Sequence, residues 1–412
     1  MRRSCLLPLL GVLGCFLSGD GASGADWLRF RGPNGSGVSP DAKGLPTSWN
    51  DKENISWKAE LPGTGLSSPI VIGDRVIITA ADGIRQDKLL IVCLDANTGK
   101  QRWRRAFWAT GRTMCHQASR VAAPTPASDG QRILASFSTN DAVCLDLDGN
   151  LLWFRGVGRD FPNASNSLGM ASSPIIVGET VVLPVENDAD SFALGLDVAD
   201  GTTRWKADRP AVANWTSPVV LGDGKTPGEQ SVLMQSRDGL TAYNAYTGAK
   251  AWTLDQQCSS VPSSVVAGDT AFVPLSRDSG GTIALRLQSG KSPRVLWKQA
   301  KLSPSTGTFI AHQGRIYSEK SGVLTCADVA TGKELYKMRL KGPFSGSPVI
   351  AENRLYCFNR NGVGQVVDLS GEEGEVIFSG ELGEGVLCTP AVSGNALYVR
   401  SDKTLWKIAE TK

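Results

Sequence analysis

The sequence has few of the residues from which metal and redox centres are usually built. Its 412 residues include two histidines and contain no Cys-x-x-Cys, no Cys-x-x-Cys-His and no adjacent cysteines. The spacings typical of zinc sites and of covalently attached haem are therefore missing. Seven of the nine cysteines lie beyond residue 25. An odd number without paired spacing does not indicate a disulfide framework.

The sequence also has no large excess of positive or negative residues. Lysine and arginine number 43 against 40 aspartates and glutamates, which gives a net charge of +3. Because the positive and negative charges nearly balance, the sequence indicates neither a nucleic acid nor an anionic membrane surface as a partner. The chain is instead rich in glycine, with 46 residues, and contains 21 prolines and 11 tryptophans. This composition is typical of a turn-rich globular protein with a large core.

The N-terminal residues predict an export signal and no transmembrane span. Two arginines precede an uncharged, largely apolar run from Leu6 to Leu17, which is too short to cross a bilayer, and small residues follow it. We therefore expect residues 1–25 to be a signal peptide and the mature protein to be periplasmic or secreted. Acylation of Cys15 as a lipoprotein anchor is the alternative, because the residues around it loosely resemble a lipoprotein cleavage site.

A hairpin-like segment recurs along the rest of the chain. VCLDANTGKQRW (92–103) combines a strand, an Asp-x-x-Thr-Gly turn and a second strand that ends in Trp. It returns as VCLDLDGNLLW (143–153), LGLDVADGTTRW (194–205), AYNAYTGAKAW (242–252) and TCADVATGKELY (325–336), and in more degenerate form at 284–297 and 366–378. Each copy follows another hairpin, such as SSPIVIGDRVIIT (67–79).

This preceding hairpin begins eight times, at an average spacing of about 46 residues. Aligned on one column, its starts are Pro69, Pro126, Pro174, Pro218, Ser264, Phe309, Pro348 and Pro390. Four short antiparallel strands per repeat at this period are typical of a β-propeller blade. The sequence therefore predicts an all-β fold, an eight-bladed β-propeller of four-stranded antiparallel blades. We letter the strands of each blade A to D from the axis outward.

The two ends of the propeller are predicted to meet in one blade. The eighth repeat has A, B and C strands but no D strand, whereas residues 55–61 (ISWKAEL) have the pattern of a D strand with no blade before it. An N-terminal strand at 55–61 would complete the last blade and remove the open edge of the ring. We thus expect a lead segment, residues 26–54, packed on a single monomeric propeller, residues 55–412.

One large aromatic residue per blade is predicted to pack between neighbouring blades, where its burial stabilises the ring. This D-strand column reads Trp57, Trp103, Trp153, Trp205, Trp252, Trp297, Tyr336 and Phe378. A second column, on the C strands, holds mostly small residues: Cys93, Cys144, Gly195, Ala242, Ala284, Cys326 and Val366. It explains three cysteines as core residues without any chemical role.

These repeats resemble those of the PQQ-like β-propeller family. The pattern Asp-x-x-Thr-Gly-x-x-x-Trp, at residues 95–103, is similar to the repeat of pyrroloquinoline-quinone (PQQ) dehydrogenases. Their non-enzymatic relatives, among them the eight-bladed outer-membrane assembly lipoprotein, share it. The resemblance extends over residues 55–409, and residues 26–40 resemble the lead of secreted PQQ-binding-like propeller proteins. It implies the fold, but the shared motif lies in the scaffold and does not choose between an enzyme and a binding module.

The longest connections are predicted to lie on one face of the propeller. Strand parity puts the D–A and B–C connections on one face and the tight A–B and C–D turns on the other. Residues 104–122 and 154–171 (D–A) and 185–192 (B–C) belong to the first face, across blades 1 to 4, and long loops on a rigid scaffold are where binding usually resides. The candidate ligand-binding residues are Arg112, His116, Gln117, Arg120, Asn163, Asn166, Glu186, Asn187, Asp188, Asp190 and Asn214.

Few catalytic arrangements are available on this face. Cys115 and His116 are adjacent in an extended segment and point to opposite sides, which disfavours a nucleophile with its base. His312 is expected at an A–B turn on the other face, so the two histidines share no metal. No metal site is predicted, and the weak candidate for Ca²⁺ is the set Glu186, Asp188 and Asp190. The first two of these carboxylates also leave open a hydrolase or lyase acting on polysaccharide.

No catalytic residue and no cofactor are predicted. The resemblance implies that alcohol-oxidising relatives carry an adjacent-cysteine disulfide and long insertions, and this sequence has neither. We therefore expect an exported, non-catalytic propeller that presents its long-loop face to a protein, peptide or glycan of the cell envelope. The alternative is a quinoprotein alcohol or sugar dehydrogenase that uses PQQ with Ca²⁺.

Overall fold

Eight antiparallel sheets follow one another along the chain and account for nearly all of its regular structure. This computed structural model describes residues 26–116, 118–164, 168–222, 228, 230–288 and 291–411. Within these residues, helical structure consists of a 3-10 turn (Pro33–Gly35) and one short α-helix, α1 (Val157–Asp160). None of the described helices has the length and apolar character needed to cross a membrane. The predicted signal peptide, residues 1–25, lies outside the described residues.

The strands are numbered in chain order. β1 (Val38–Ser39) and β2 (Ile55–Glu60) precede the first blade. Blade 1 contains β3 (Ile70–Ile72), β4 (Arg75–Asp82), β5 (Lys88–Asp95) and β6 (Gln101–Trp108). Blade 2 contains β7 (Ala127–Ser128), β8 (Arg132–Ser136), β9 (Asp141–Asp146) and β10 (Leu151–Gly156). Blade 3 contains β11 (Ile175–Val177), β12 (Thr180–Val185), β13 (Phe192–Asp197) and β14 (Thr203–Asp208).

The remaining blades continue the same order. Blade 4 contains β15 (Val219–Leu221), β16 (Ser231–Ser236), β17 (Gly239–Asn244) and β18 (Lys250–Leu254). Blade 5 contains β19 (Val265–Ala267), β20 (Thr270–Pro274), β21 (Thr282–Gln288) and β22 (Lys291–Gln299). Blade 6 contains β23 (Ile310–His312), β24 (Arg315–Lys320), β25 (Val323–Asp328) and β26 (Glu334–Arg339). Blade 7 contains β27 (Val349–Ala351), β28 (Arg354–Phe358), β29 (Val363–Asp368) and β30 (Glu375–Glu381), and blade 8 contains β31 (Ala391–Ser393), β32 (Ala396–Arg400) and β33 (Thr404–Ile408).

The predicted eight-bladed, all-β propeller and its closure are confirmed. Each A strand begins one residue after the predicted start of its repeat. The last sheet has the order β2-β33-β32-β31, so the N-terminal strand is the D strand of blade 8. Its register places Lys58 opposite Trp406. The predicted strand at 55–61 is one residue longer than β2, which ends at Glu60.

Both long D–A connections begin later than predicted, and residues 154–156 belong to the D strand β10. Residues 104–108 belong to the D strand β6, because β6 pairs along the whole of β5 up to the pair Lys88 and Trp108. Half-buried and exposed side chains alternate along most of this strand, as expected for the outermost strand of a blade with one face toward solvent. The first long connection therefore starts at residue 109.

The aromatic D-strand residues lie against the next blade along the chain. The indole N–H of Trp57 donates to the carbonyl of Ala96 at 3.1 Å, in the C–D turn of blade 1. A Cβ atom at Gly99 of this turn (φ +69°) would lie 2.7 Å from the Trp57 ring. Trp103, Trp153, Trp205 and Trp297 make the same pair of contacts with the turns of blades 2, 3, 4 and 6. The Thr-Gly turn and the tryptophan of the repeat are thus the two sides of one contact between blades.

The small-residue column lies directly opposite the aromatic column. Cys93 faces Trp103, and Gly195 faces Trp205, in the C–D pairs of their blades. The register of the C–D pair shifts next to this position in all eight blades. A bulge adds local twist to the strand, and in most blades a small residue opposite leaves room for the aromatic ring. Blade 8 departs from the column, since Lys407 faces Trp57.

The aspartate of the repeat shapes its turn. The carboxylate of Asp95 accepts hydrogen bonds from the backbone N–H groups of Asn97 and Thr98, at 3.0 and 2.9 Å. Its other oxygen pairs with Arg102, which also contacts Asp74. The Arg102 guanidinium, helped by the hydrogen bonds from the turn, lowers the pKa of Asp95 to about 2. This residue is therefore part of the scaffold.

The lead segment crosses the axis beneath the inner strands. Trp27 bridges to Val71 of blade 1, and the Leu28 carbonyl accepts a hydrogen bond from the N–H of Ser128 in blade 2. The 3-10 turn then packs on the A strands of blades 4 and 5, and β1 pairs in parallel with β27 of blade 7. Gly32 (φ +65°) is required at this crossing, since a Cβ there would lie 2.4 Å from the Trp27 ring. The segment consequently closes the central channel on the side of the tight turns.

Candidate functional site

We call the face that carries the D–A and B–C connections the loop face. Its two longest connections are residues 109–126, between blades 1 and 2, and residues 157–174, between blades 2 and 3. The backbone N–H of His116 donates to the carbonyl of Leu168 at 3.0 Å, and the Ser119 hydroxyl donates to the same oxygen at 2.9 Å. The two connections therefore form one surface over blades 1 and 2.

Arg120 ties the first connection to blade 8. Its guanidinium lies 3.2 Å from the carboxylate of Asp402, which also accepts a hydrogen bond from the backbone N–H of Gly65 at 2.8 Å. The two side chains are 32% and 28% exposed, and such pairs contribute at most about 1 kcal/mol. The predicted binding residue Arg120 is thus already engaged in positioning the loop.

A cavity of about 300 Å³ opens between the two long connections. Its lining consists of Thr110, Gly111, Arg112, Ser138, Thr139, Asn140, Gly158, Pro162 and Ala164. The buried carboxylate of Asp141 supports it, accepting hydrogen bonds from the backbone N–H of Thr110 (2.9 Å) and the hydroxyl of Thr139 (2.7 Å). Arg112 is exposed and makes no hydrogen bond or ion pair with any other described residue. Its guanidinium is therefore positioned to meet a ligand.

Glu186 is buried in the structure, and its carboxylate is bound by other side chains of the protein. Its carboxylate lies 2.6 Å from the guanidinium of Arg209, and both side chains are 1% exposed. The second carboxylate oxygen accepts a hydrogen bond from Asn214, and Arg209 also donates to the hydroxyl of Tyr243 at 3.2 Å. Burial alone would lower the pKa of Arg209, but the Glu186 carboxylate and Tyr243 raise it above its ordinary value, so the buried guanidinium stays charged. Glu186 and Asn214 thus belong to a buried network between blades 3 and 4.

The other residues of this B–C loop do not converge on a ligand site. Asp188 accepts a hydrogen bond from the backbone N–H of Ala213 at 2.8 Å, and the buried amide of Asn187 donates to the carbonyl of Asp190 at 2.7 Å. Within the described part of the chain, no group of three or more His, Cys, Asp or Glu side chains could hold a metal ion. Because both oxygens of Glu186 already have protein donors, the geometry supports neither the Ca²⁺ set nor a two-carboxylate cleft.

Cys115 and His116 do not form a nucleophile and base. Nδ1 of His116 accepts a hydrogen bond from the backbone N–H of Ala118 at 3.1 Å. Burial raises the pKa of the Cys115 thiol, which disfavours the thiolate that a nucleophile requires. The other histidine, His312, lies at the end of β23 on the side of the tight turns, with Nε2 3.4 Å from Oδ1 of Asn353.

The predicted site residues are thus only partly brought together. Asn163 is exposed in the second long connection, between two residues of the cavity lining, and Arg112 lines the same cavity. Gln117 and Asn166 lie outside the described residues. The structure therefore assembles Arg112 and Asn163 near one cavity, whereas Glu186, Asn187 and Asn214 are buried.

The loop face also exposes large apolar side chains that sequence reasoning missed. These are Ile84, Trp108, Met114 and Leu168, which we call the apolar set, with exposures of 105%, 70%, 63% and 45%. Ile84 lies in the B–C connection of blade 1, Trp108 ends β6, and the other two lie in the long connections. In the sequence, Ile84 is a single apolar residue within the polar loop 82–88, and this was the available signal that its side chain is exposed. Large exposed apolar side chains that share one face are candidates for a partner-binding surface.

A closed ring of hydroxyl groups surrounds the axis at the loop-face end of the A strands. Each blade contributes one Ser or Thr, two residues before its A strand, and this hydroxyl ring consists of Ser68, Thr125, Ser173, Ser217, Ser263, Thr308, Ser347 and Thr389. The backbone N–H of each member donates to the hydroxyl oxygen of the next, over 2.9 to 3.2 Å, and Thr389 returns to Ser68. The aligned repeats contain this Ser/Thr column, so the signal was present in the sequence and was missed.

The hydroxyl ring lines an axial cup of about 130 Å³. The residues two positions before the ring members form its rim: Leu66, Ala123, Ala171, Trp215, Val261, Thr306, Ser345 and Leu387. Alternate residues of an extended strand share one side, which explains the two layers. Phe30 of the lead segment also lines the cup. Because the lead segment contacts the A strands three residues beyond the ring, roughly 10 Å away, Phe30 forms the floor.

The axial cup does not match the needs of a planar quinone with a divalent cation. About 130 Å³ is below the roughly 300 Å³ at which sites for drug-sized ligands begin. The described lining contains no carboxylate to hold Ca²⁺ or to act as a base, and Cys388 is its only cysteine. The larger cavity beside Arg112 also has no carboxylate in its described lining.

The sequence matches one family model over most of its length. The model described as outer membrane protein assembly factor BamB matches residues 33–184, 194–293 and 291–368. A solved structure of BamB from Moraxella catarrhalis covers 86% of this chain and 96% of that chain, with a TM-score of 0.61 and 15% identity. At this identity the likeness to the solved structure concerns the fold.

Two curated proteins have detectable sequence similarity to the chain. BamB of Burkholderia pseudomallei (strain K96243) is 28% identical over 279 residues, 63% of this chain and 65% of that protein. Polyvinylalcohol dehydrogenase of Sphingopyxis sp. (strain 113P3) is 26% identical over 246 residues, 49% of this chain and 35% of that protein. The chain thus spans just under two-thirds of one relative and about a third of the other.

Proposed function

Because the chain belongs to the family described as outer membrane protein assembly factor BamB, we propose that it is a non-catalytic binding scaffold of the cell envelope. Its loop face, over blades 1 and 2, binds a protein partner. Export by the residues 1–25, which the structure does not describe, is part of this proposal. So is the absence of a resident cofactor.

The observation that carries the proposal is the apolar set. Trp108 and Met114 are 70% and 63% exposed. Trp108 ends β6, and Met114 lies in the first long connection, which is held to the second by hydrogen bonds. Aromatic and methionine side chains on a pre-formed surface are typical anchors of protein interfaces. Arg112, exposed beside the 300 Å³ cavity, adds one unpaired cation that could contact an acidic group of the partner.

The catalytic alternatives receive less support from the geometry of the described residues. Glu186, the buried carboxylate of the B–C loop 185–192, forms an ion pair with Arg209 in which both side chains are 1% exposed. Burial raises the pKa of the Cys115 thiol, and Nδ1 of the neighbouring His116 accepts a backbone N–H. A scaffold requires only the exposed surface, and that surface is present.

Site-specific photo-crosslinking in cells tests the proposal. A photoreactive amino acid at Met114 is expected to give a discrete protein adduct, and one at Leu335 is not. Leu335 is the matched control because it is 47% exposed on the outer strand β26, away from the loop face. Trp108→Asp should abolish the adduct at Met114, whereas Leu151→Asp, at a position 51% exposed on the outer strand β10, should leave it.

Three outcomes would count against a protein partner on the loop face. One is an equal yield of adduct at Met114 and Leu335, and another is an adduct that survives Trp108→Asp. The third is binding of the purified protein to envelope polysaccharide instead of a protein, which would assign the loop face to a glycan.

The sequence similarity to polyvinylalcohol dehydrogenase favours a second candidate, a quinoprotein oxidoreductase. Its test is equilibrium dialysis of the purified protein with PQQ and Ca²⁺, followed by dye-linked oxidation of alcohols and sugars. Stoichiometric binding with turnover would replace the scaffold proposal. Binding without turnover would indicate a retained cofactor site that contributes no catalysis.

A further inference from the structure

The hydroxyl ring has unused hydrogen-bond donors. Each of its eight oxygens accepts one backbone N–H, and none of the hydroxyl groups donates to another residue of the described chain. A hydroxyl that already accepts a hydrogen bond is polarised and becomes a better donor. The cup therefore offers up to eight O–H donors around one axis and needs a ligand rich in acceptors.

The charges near the cup favour an anion over a neutral acceptor. The described lining has no carboxylate. Arg31, which is 1% exposed, donates only to carbonyl oxygens, among them those of Ser36 and Thr308. The partly buried Arg29 makes no side-chain hydrogen bond or ion pair with another described residue, and both arginines lie against the strands that carry Ser217 and Ser263.

Burial of these guanidinium groups has an electrostatic cost that a nearby anion would relieve. Burial lowers the pKa of Arg31 to about 9 and lowers that of Arg29 as well. No acidic side chain of the described residues pairs with either group. The lead segment therefore brings uncompensated positive charge to the floor side of the cup.

The size of the cup limits its occupant to a small molecule. Its volume of about 130 Å³ is well below the roughly 300 Å³ at which sites for drug-sized ligands begin. A tetrahedral oxyanion or a small carboxylate fits this space with its hydration waters. Entry is from the loop face, between the rim residues, because Phe30 and the lead segment lie on the other side.

We propose that the axial cup is a binding site for one small oxyanion, held by O–H donors of the hydroxyl ring. The shared chemistry is an oxygen-rich anion, whether inorganic phosphate or sulfate, or the carboxylate of a small acid. Of the two long connections, only the last residues contribute to the cup, Ala123 and Thr125 from one and Ala171 and Ser173 from the other. The cup contains neither Arg112 nor a residue of the apolar set, so it does not depend on the identity of the protein partner.

Isothermal titration calorimetry of the purified protein tests the site, with sodium phosphate, sodium sulfate and sodium acetate as probes in a low-chloride buffer. We expect saturable binding of one anion per chain. Phosphate and sulfate without acetate would assign a tetrahedral anion, and acetate alone would assign a carboxylate. Both results support the site. Saturable binding of none of the three, or of Ca²⁺ in their place, would overturn it.

Isosteric removal of one ring hydroxyl locates the binding. Thr308→Val and Thr389→Val each keep the shape of the cup, remove one donor and leave the backbone N–H of the preceding ring member without its acceptor, so binding should weaken about tenfold or more. Thr79→Val is the matched control, because Thr79 is 0% exposed and lies next to the ring but outside the lining. Unchanged affinity in both ring variants would refute the assignment. If the ring variants fail to fold, Phe30→Trp, which fills the floor, should abolish binding while the ring stays intact.

Discussion

The buried pair between Glu186 and Arg209 makes the sharpest prediction. Glu186→Gln removes the negative charge but keeps the volume and one acceptor for the amide of Asn214. Arg209 would then be a cation that is 1% exposed, with Tyr243 and an uncharged amide as its neighbours. Breaking a buried ion pair in this way typically costs about 3–5 kcal/mol. We expect a loss of that size in the free energy of unfolding.

A double variant separates the loss of a partner from the loss of the pair. Glu186→Gln with Arg209→Met removes both charges and fills the space of the guanidinium stem with an apolar chain. Replacing a whole buried pair is often close to neutral, so the double variant should be more stable than Glu186→Gln alone by at least about 2 kcal/mol. The coupling between the two sites is the measured quantity.

Urea denaturation followed by tryptophan fluorescence measures both effects, at constant slope if the mechanism of unfolding is unchanged. A loss below about 1 kcal/mol in Glu186→Gln would refute the burial of the pair as a determinant of stability. So would a double variant whose loss equals the sum of the two single losses. Photo-crosslinking at Met114 should persist in the double variant, since Glu186 does not contact the partner.

Three further predictions concern the scaffold and export. Gly99→Ala should lose about 1–3 kcal/mol in thermal unfolding, because its Cβ would clash with Trp57 at a positive φ, whereas Gly73→Ala, with open space around it, should lose less. Equal losses would contradict the contact between blades. The folded pKa of Asp95 is lowered to about 2, so its stabilisation is present above about pH 4 and lost as the pH falls toward 2. The stability difference between the protein and Asp95→Asn should shrink over that range in acid titrations, and a difference independent of pH would contradict this assignment. Cell fractionation of Cys15→Ala tests lipidation: a shift from membrane to soluble envelope fractions would establish an anchor, and no shift would favour a simple signal peptide.

The fold could be predicted because its determinants repeat. The tryptophan column and the Thr-Gly turns recur at fixed offsets, and the strand at 55–60 has the same D-strand pattern. A repeat period of about 46 residues leaves few architectures to consider. The bulge opposite each aromatic residue was not predicted. Its sequence signal was the small-residue column, which had been explained only as crowding.

The candidate site could be predicted only coarsely. The sequence located the long connections, but Glu186 and Arg209 are 23 residues apart and meet through loop geometry that no periodicity encodes. The hydroxyl ring was available as a Ser/Thr column and was overlooked because such residues are common in turns. The apolar set could be recognised only from the exposed fraction of each side chain. That fraction depends on which other parts of the fold pack against the residue, and the sequence does not show this.

The closure of blade 8 by β2 sets an order on folding. The D strand of that blade lies near the start of the chain, and its partner β33 is about 350 residues further on. The last sheet cannot form until residues 404–408 are available, so an early strand edge stays unpaired while the other blades assemble. During synthesis from the N-terminus, β2 therefore remains unpaired longer than any other strand of the blades. A circular permutant opened in a different turn would remove that delay without changing the folded ring.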